Sequence, residues 1–106
     1  MAGETDIRIH LEGNRLFIGG PITYDNVVEV IRTGETVIKA DDMLVDLAGV
    51  TRVDSSAVSM LLEWIRTAQA HGRRIEFINL PVNLAALIEL YDVGSLILAD
   101  KQAESV

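Results

Sequence analysis

The 106-residue chain is 49% hydrophobic and 24% charged, which is enough apolar surface to offset chain entropy and excludes an intrinsically disordered protein. Its formal charge of −7 at pH 7 opposes binding to a phosphate backbone or an anionic membrane surface, both of which need clustered Lys and Arg. With no cysteine in the chain, disulfides and thiolate metal sites are excluded.

The length suits a single domain over residues 1–106 with one core, and the tails 1–5 and 101–106 are expected to be flexible. No apolar run approaches the roughly 20 residues that span a bilayer. "MAGETDIRIH" lacks the basic segment and apolar stretch of a secretory signal, so the expected location is the cytoplasm. Any tie to a membrane is expected to run through another protein.

In chain order, "DIRIHLEGNRLFIGG" places Ile7, Ile9 and Leu11 at alternate positions, then Leu16 and Ile18 beyond a Gly13-Asn14 turn signal. That pattern predicts a β-hairpin with one buried face, whose second strand is broken by Gly19, Gly20 and Pro21. "TYDNVVEVIRTGE" follows, with Val27, Val28 and Ile31 at helical spacing. A short helix is expected there, capped by Thr23 or Asp25 and stopped by Gly34.

"MLVDLAGV" is apolar except for Asp46, and predicts a central strand covered on both faces. From Ser55 to about Ala70, Val58, Leu61, Leu62, Ile65 and Ala68 recur at spacings of three and four and form a core stripe, with Gly72 as the stop. "RRIEFINL" reads as another strand through Ile75, Phe77 and Ile78. Pro81 opens a third helix with Leu84, Leu87, Ile88 and Tyr91, closed by Gly94, and "SLILA" offers a short last strand. The predicted order is β-β-α-β-α-β-α-(β), an α/β sandwich with helices packed on a mixed sheet and a parallel strand-helix-strand unit from Met43 to Leu80.

The segment "TRVDSSAVS", Thr51 to Ser59, sits where the central strand feeds the long helix. The helix N-terminus, with its unpaired N–H groups, therefore lies at the C-terminal edge of the sheet, where sites in open α/β folds collect. Asp and Ser are both good caps, worth about 1 kcal/mol, yet one cap does not account for Asp54, Ser55 and Ser56 together. One serine is expected to cap and Ser55 to face a partner, the division of labour between the two hydroxyls being open. Ala57 and Ser59 keep the first turn bare. A phosphate on Ser55 would sit favourably at the positive end of the helix and unfavourably beside Asp54.

The run "VDLAGVTRVDSSAVSMLLEWIRTAQAHGRRIEF" resembles the signature of STAS domains, named for sulfate transporters and anti-sigma-factor antagonists. An apolar strand with Asp is followed by a short connection, then Asp, Ser, a small residue and an amphipathic helix. The resemblance extends from about Leu16 to Leu98. The segment "INLPVNLAALIELYDVGSLI" is most similar to the MlaB-like branch, bacterial cytoplasmic accessory subunits that bind the ATPase of the Mla phospholipid-trafficking ABC transporter and so serve outer-membrane lipid asymmetry.

By position, the resemblance implies that Ser55 matches the Ser or Thr phosphorylated in anti-sigma-factor antagonists and lying at the ATPase contact in MlaB-like proteins. Asp54 matches the acid before it. Ala57 stands where the antagonists usually have glycine, which favours a binding role over a phosphoswitch. The implied partner is an ABC transporter ATPase; the alternative is an anti-sigma factor acting as a serine kinase.

Around Asp54 and Ser55, the candidate partner-binding set comprises Arg52, Ser56, Ser59, Glu63, Arg66 and Trp64. Trp64 and Met60, one turn apart on the helix, admit two readings. They either widen the core stripe or join Ser59, Glu63 and Arg66 in a docking face, for which Trp and Met are favoured.

No catalytic constellation is legible. Ser55 lacks a G-x-S-x-G context, and the histidines are His10 in the first strand and His71 at a helix end. Asp41 and Asp42 read as a solvated turn rather than metal ligands, and "GG" at 19 and 20 is not followed by the lysine of a phosphate loop. The expectation is a non-catalytic protein without metal or cofactor.

Overall fold

The structure is a computed structural model that describes residues 6–97. Strands β1 (Arg8–Glu12) and β2 (Arg15–Ile22) form the expected hairpin, in register from Arg8 opposite Gly19 to Glu12 opposite Arg15. Of the two loop residues, only Gly13 has a positive φ, 61°, the pattern of a type II′ turn, which matches the strand twist.

Gly19, Gly20 and Pro21 do not break β2, which continues to Ile22. Two register irregularities against the next strand absorb them, and Pro21 lies beyond the last β1 partner, so its missing N–H interrupts no hairpin bond. Gly20 takes φ +93°, and a Cβ there would collide with the Asp6 carbonyl. The glycines let the backbone pass at close quarters rather than end the strand.

Helix α1 spans Val27–Ile38 and runs through Gly34 instead of stopping at it. Its N-cap is Asn26, not Thr23 or Asp25, and makes no side-chain bond to the helix. The Asn26 amide instead accepts from the Thr23 N–H and donates to the Pro21 carbonyl, fixing the turn into the helix. The buried residues are Val30, Gly34 and Ile38, spaced four apart, while Val28 faces solvent.

Strand β3 (Met43–Val53) is interior in the order β1-β2-β3-β4, parallel both to β2 and to β4 (Ile75–Ile78). Leu16, Ile18, Met43, Val45, Leu47, Ile75 and Phe77 alternate onto one face and join the core under the helices. The opposite face carries Arg8, His10, Arg15, Phe17, Asp46 and Glu76, so β3 is not helix-covered on both sides. Asp46 is nonetheless 5% exposed. It accepts bonds from the Ala48 N–H, the Asn79 amide and the Arg15 guanidinium at 3.0, 3.1 and 2.8 Å.

Helix α2 (Ser55–Ala70) ends at the expected Gly72, where the Gly72 and Arg73 N–H groups reach back to the Gln69 and Ala68 carbonyls in a Schellman pattern. Helix α3 (Val82–Leu90) closes the same way, two residues before the expected stop. Asp92, at φ +57°, takes the left-handed position in place of Gly94. Gly94 instead opens a single turn, α4 (Gly94–Ile97). The last strand expected at Ser95 to Ala99 is thus helical as far as Ile97, and its remaining residues lie outside the described ones.

Candidate functional site

The cap of α2 belongs to Asp54 and to neither serine. Its backbone is extended, φ −127° and ψ −169°, and its carboxylate accepts the Ser56 N–H at 2.8 Å, the geometry of an Asp N-cap. The second carboxylate oxygen accepts the Tyr24 N–H at 3.1 Å, tying the β2–α1 loop to the start of α2. Partial burial pushes the Asp54 pKa up. The bonds from the Ser56 N–H, the Tyr24 N–H and the Ser56 hydroxyl outweigh that push and hold the carboxyl below its ordinary range.

Because Asp54 does the capping and engages Ser56, Ser55 is released from both tasks. It occupies the first helical position and is exposed. Ser59 and Arg66 are also exposed and Glu63 is half-buried. At about 100° of rotation per residue these four positions fall on one side of α2. Glu63 and Arg66 are partly spent on each other, through a 3.3 Å ion pair in which the Arg66 side chain remains 78% exposed. Arg52 is exposed near the end of β3. Arg52, Asp54, Ser55 and Ser56 thus sit at the β3–α2 junction, while Ser59, Glu63 and Arg66 continue the Ser55 side along α2, Arg66 about 16 Å from Ser55 along the axis.

Trp64 does not belong to that set. Nine residues on from Ser55, about half a turn round the helix in net rotation, it is fully buried, as is Met60. Its indole N–H donates to the Ile31 carbonyl at 3.1 Å, and its ring lies against Gly34, where a Cβ would collide with it. The docking-face reading of Trp64 and Met60 is therefore corrected: both are core. Ring size and one satisfied N–H explain why a tryptophan serves between two helices.

Two exposed apolar residues that sequence reasoning passed over lie on segments tied to the β3–α2 connection. Tyr24, 76% exposed, is held there by its bond to Asp54. Val82, 87% exposed, starts α3, whose neighbouring Asn83 amide donates to the Thr51 carbonyl at 3.1 Å. Pro81 marked the start of α3 in the sequence, but nothing in the sequence placed it beside Thr51. The site presents an exposed hydroxyl at the start of α2, with the Tyr24 loop bonded to the neighbouring Asp54.

Elsewhere, His71 is at the far end of α2, about 24 Å along the axis at 1.5 Å per residue, where its Nδ1–H donates to the Thr67 carbonyl. Asp42 accepts the Arg74 N–H at 2.9 Å and joins the loop before β3 to the start of β4. Among the described residues no cluster of three potential metal ligands occurs, and no helix is long and apolar enough to cross a membrane. A depression of about 360 Å³ lies away from Ser55, on the helix-free sheet face, lined by Arg8, His10, Phe17, Gly19, Asp46 and Ala48 among others.

The fold matches that of known structures. The anti-sigma factor antagonist SpoIIAA in its unphosphorylated form superposes with a TM-score of 0.67 over 84% of this chain and 83% of SpoIIAA, at 16% identity. SpoIIAA in its phosphorylated form, described as a Bacillus cell fate determinant, gives 0.63 over 84% and 86%, also at 16% identity. Mglu gives 0.58 at 25% identity over 79% of this chain, which spans only 22% of Mglu. No curated protein sequence matches the chain. The family described as "Mlab, STAS domain" matches residues 5–99, nearly the whole sequence, and the chain belongs to this MlaB-like family of STAS domains.

Proposed function

We propose that the protein is a non-catalytic accessory subunit that binds the ATPase of an ABC transporter for phospholipid trafficking, and supports that transporter's assembly or activity. In this reading it works in the cytoplasm, reaching the inner membrane through its partner. Membership of the MlaB-like STAS family supports this reading. The observation that carries the site is the exposed Ser55 hydroxyl at the start of α2, left free by the Asp54 cap. A partner's polar group reaches Ser55 while the exposed Tyr24, whose N–H is bonded to Asp54, offers aromatic contact nearby.

Affinity capture from detergent-solubilised host cells, wild type beside Ser55→Glu, followed by mass spectrometry and direct titration of the recovered ATPase, tests this. Recovery of an ABC ATPase by the wild type, with at least about tenfold weaker binding of Ser55→Glu, supports it. An ATPase bound equally by both forms would move the interface elsewhere. Absence of any ATPase would remove the transporter role.

A second reading, an anti-sigma-factor antagonist regulated by phosphorylation, is favoured by the same exposed hydroxyl and by the likeness to SpoIIAA. A phosphate on Ser55 would place about −1.5 to −2 charge beside the ionised Asp54. Ala57, buried in the first turn, weighs against it where the antagonists have glycine. Incubation with host lysate and ATP separates the readings: a gain of one phosphoryl group on intact protein, lost in Ser55→Ala, selects the antagonist.

A further inference from the structure

Strand β1 is the outermost strand of the sheet. The two-residue loop Gly13-Asn14 is closed by the hydrogen-bonded pair Glu12–Arg15, and bonded and non-bonded pairs alternate from there along the hairpin. The N–H and C=O groups of Arg8, His10 and Glu12 therefore face β2. Those of Ile9 and Leu11 point outward, and no strand pairs with that edge among the described residues.

Side chains on β1 follow the pleat. Ile9 and Leu11 lie on the helix-covered face, where Leu11 remains 44% exposed. Arg8, His10 and Glu12 lie on the other face, a cation and an anion placed symmetrically about a histidine.

We propose that this edge pairs with β1 of a second copy, antiparallel, about a two-fold axis through His10. In this register Ile9 faces Leu11 of the second copy and Leu11 faces its Ile9. Each pair exchanges two backbone bonds through the outward groups. Arg8 then faces Glu12 of the second copy, and Glu12 faces its Arg8, making two cross-strand ion pairs on one face while the apolar pairs extend the core face on the other.

Competing registers do worse. A slip of two residues sets Arg8 opposite His10 in one direction, or beyond Glu12 opposite Asn14 in the other. A slip of one sets outward groups against inward ones. The opposite sheet edge, β4, is four residues long and offers no such self-complementary sequence.

Five paired residues are few against the roughly 1,200 Å² of a standard stable interface, and the charge of −7 on each copy opposes approach. The dimer is accordingly weak, half-formed at about 100 μM. Pairing leaves the start of α2 uncovered, so it is independent of the function proposed for Ser55.

Sedimentation equilibrium of the full chain up to roughly 500 μM tests the pairing. Wild type is expected to dimerise. Arg8→Glu and Glu12→Arg are each expected to weaken association about tenfold, by placing like charges opposite twice, and the double variant to restore it to within about threefold. An intermolecular Hα–Hα nuclear Overhauser contact at His10, in a sample mixing labelled and unlabelled protein, reports the register directly. A monomer at every concentration overturns the proposal, as does a dimer indifferent to the single reversals, a double variant as weak as either single one, or absence of the His10 contact in a dimer.

Discussion

Ser55 and Trp64 stand on the same helix, half a turn apart in net rotation, and obey different rules. On the Trp64 side every group is committed: the ring is enclosed, the indole N–H is bonded to α1, and Gly34 has no side chain because the ring occupies its place. On the Ser55 side the helix start is stabilised by a neighbour, Asp54, so the serine itself carries little of the fold's stability. One side of α2 holds the domain together, and the other is free to be selected for a partner.

That division predicts that stability and binding separate by mutation. Trp64→Ala is expected to cost about 3–5 kcal/mol by opening a cavity between α1 and α2, read as a lower urea midpoint. Gly34→Ala sharpens the point. The helix propensity gain of about 1 kcal/mol opposes an overpacking cost of about 1–3 kcal/mol, because the new Cβ meets the indole, so a net loss is expected where an exposed helical glycine would show a gain.

Asp54→Ala, on the boundary between the two sides, removes the cap and the tie to Tyr24 and should cost about 1–2 kcal/mol. Its effect depends on pH. The Asp54 carboxyl is held below its unfolded value near 4, so its contribution is complete above that value and is lost as pH falls through the lower folded one. The gap between wild type and Asp54→Ala should therefore narrow in urea titrations repeated from neutral pH down through about pH 3. The part of it that persists in acid measures whatever does not depend on ionisation. Ser55→Glu should have the smallest effect on unfolding, within about 0.5 kcal/mol, while producing the loss of partner affinity described above. A large drop in its midpoint would erase the contrast between the two sides.

The sheet repeats the lesson in its two faces. Asp46 follows the same alternation as its apolar neighbours, but onto the face without helices. There Arg15, Asn79 and the Ala48 N–H enclose the carboxylate and, led by the Ala48 bond, hold its pKa below the ordinary range. An acid in an apolar run marked a buried polar network on the second face, and the run's hydrophobicity alone did not reveal it.

The sequence by itself determined the elements whose signals are local. Hydrophobic periodicity placed α2 and its neighbouring strands, the Gly13-Asn14 pair placed the hairpin, and the Asp-Ser-Ser junction placed the candidate site at a strand-to-helix edge. Where Gly19, Gly20, Gly34 and Gly94 were read as breaks, their purpose was set at longer range. Gly20 passes under the Asp6 carbonyl and Gly34 receives a ring 30 residues away in sequence, while at Gly94 a neighbouring aspartate took the left-handed turn instead. Whether Trp64 faced a partner or the core, which group capped α2, and that the Tyr24 loop is tied to Asp54 and the start of α3 to Thr51 were decided only by the tertiary structure. Each depends on which segments the fold brings together, and short-range spacing carries no information about that.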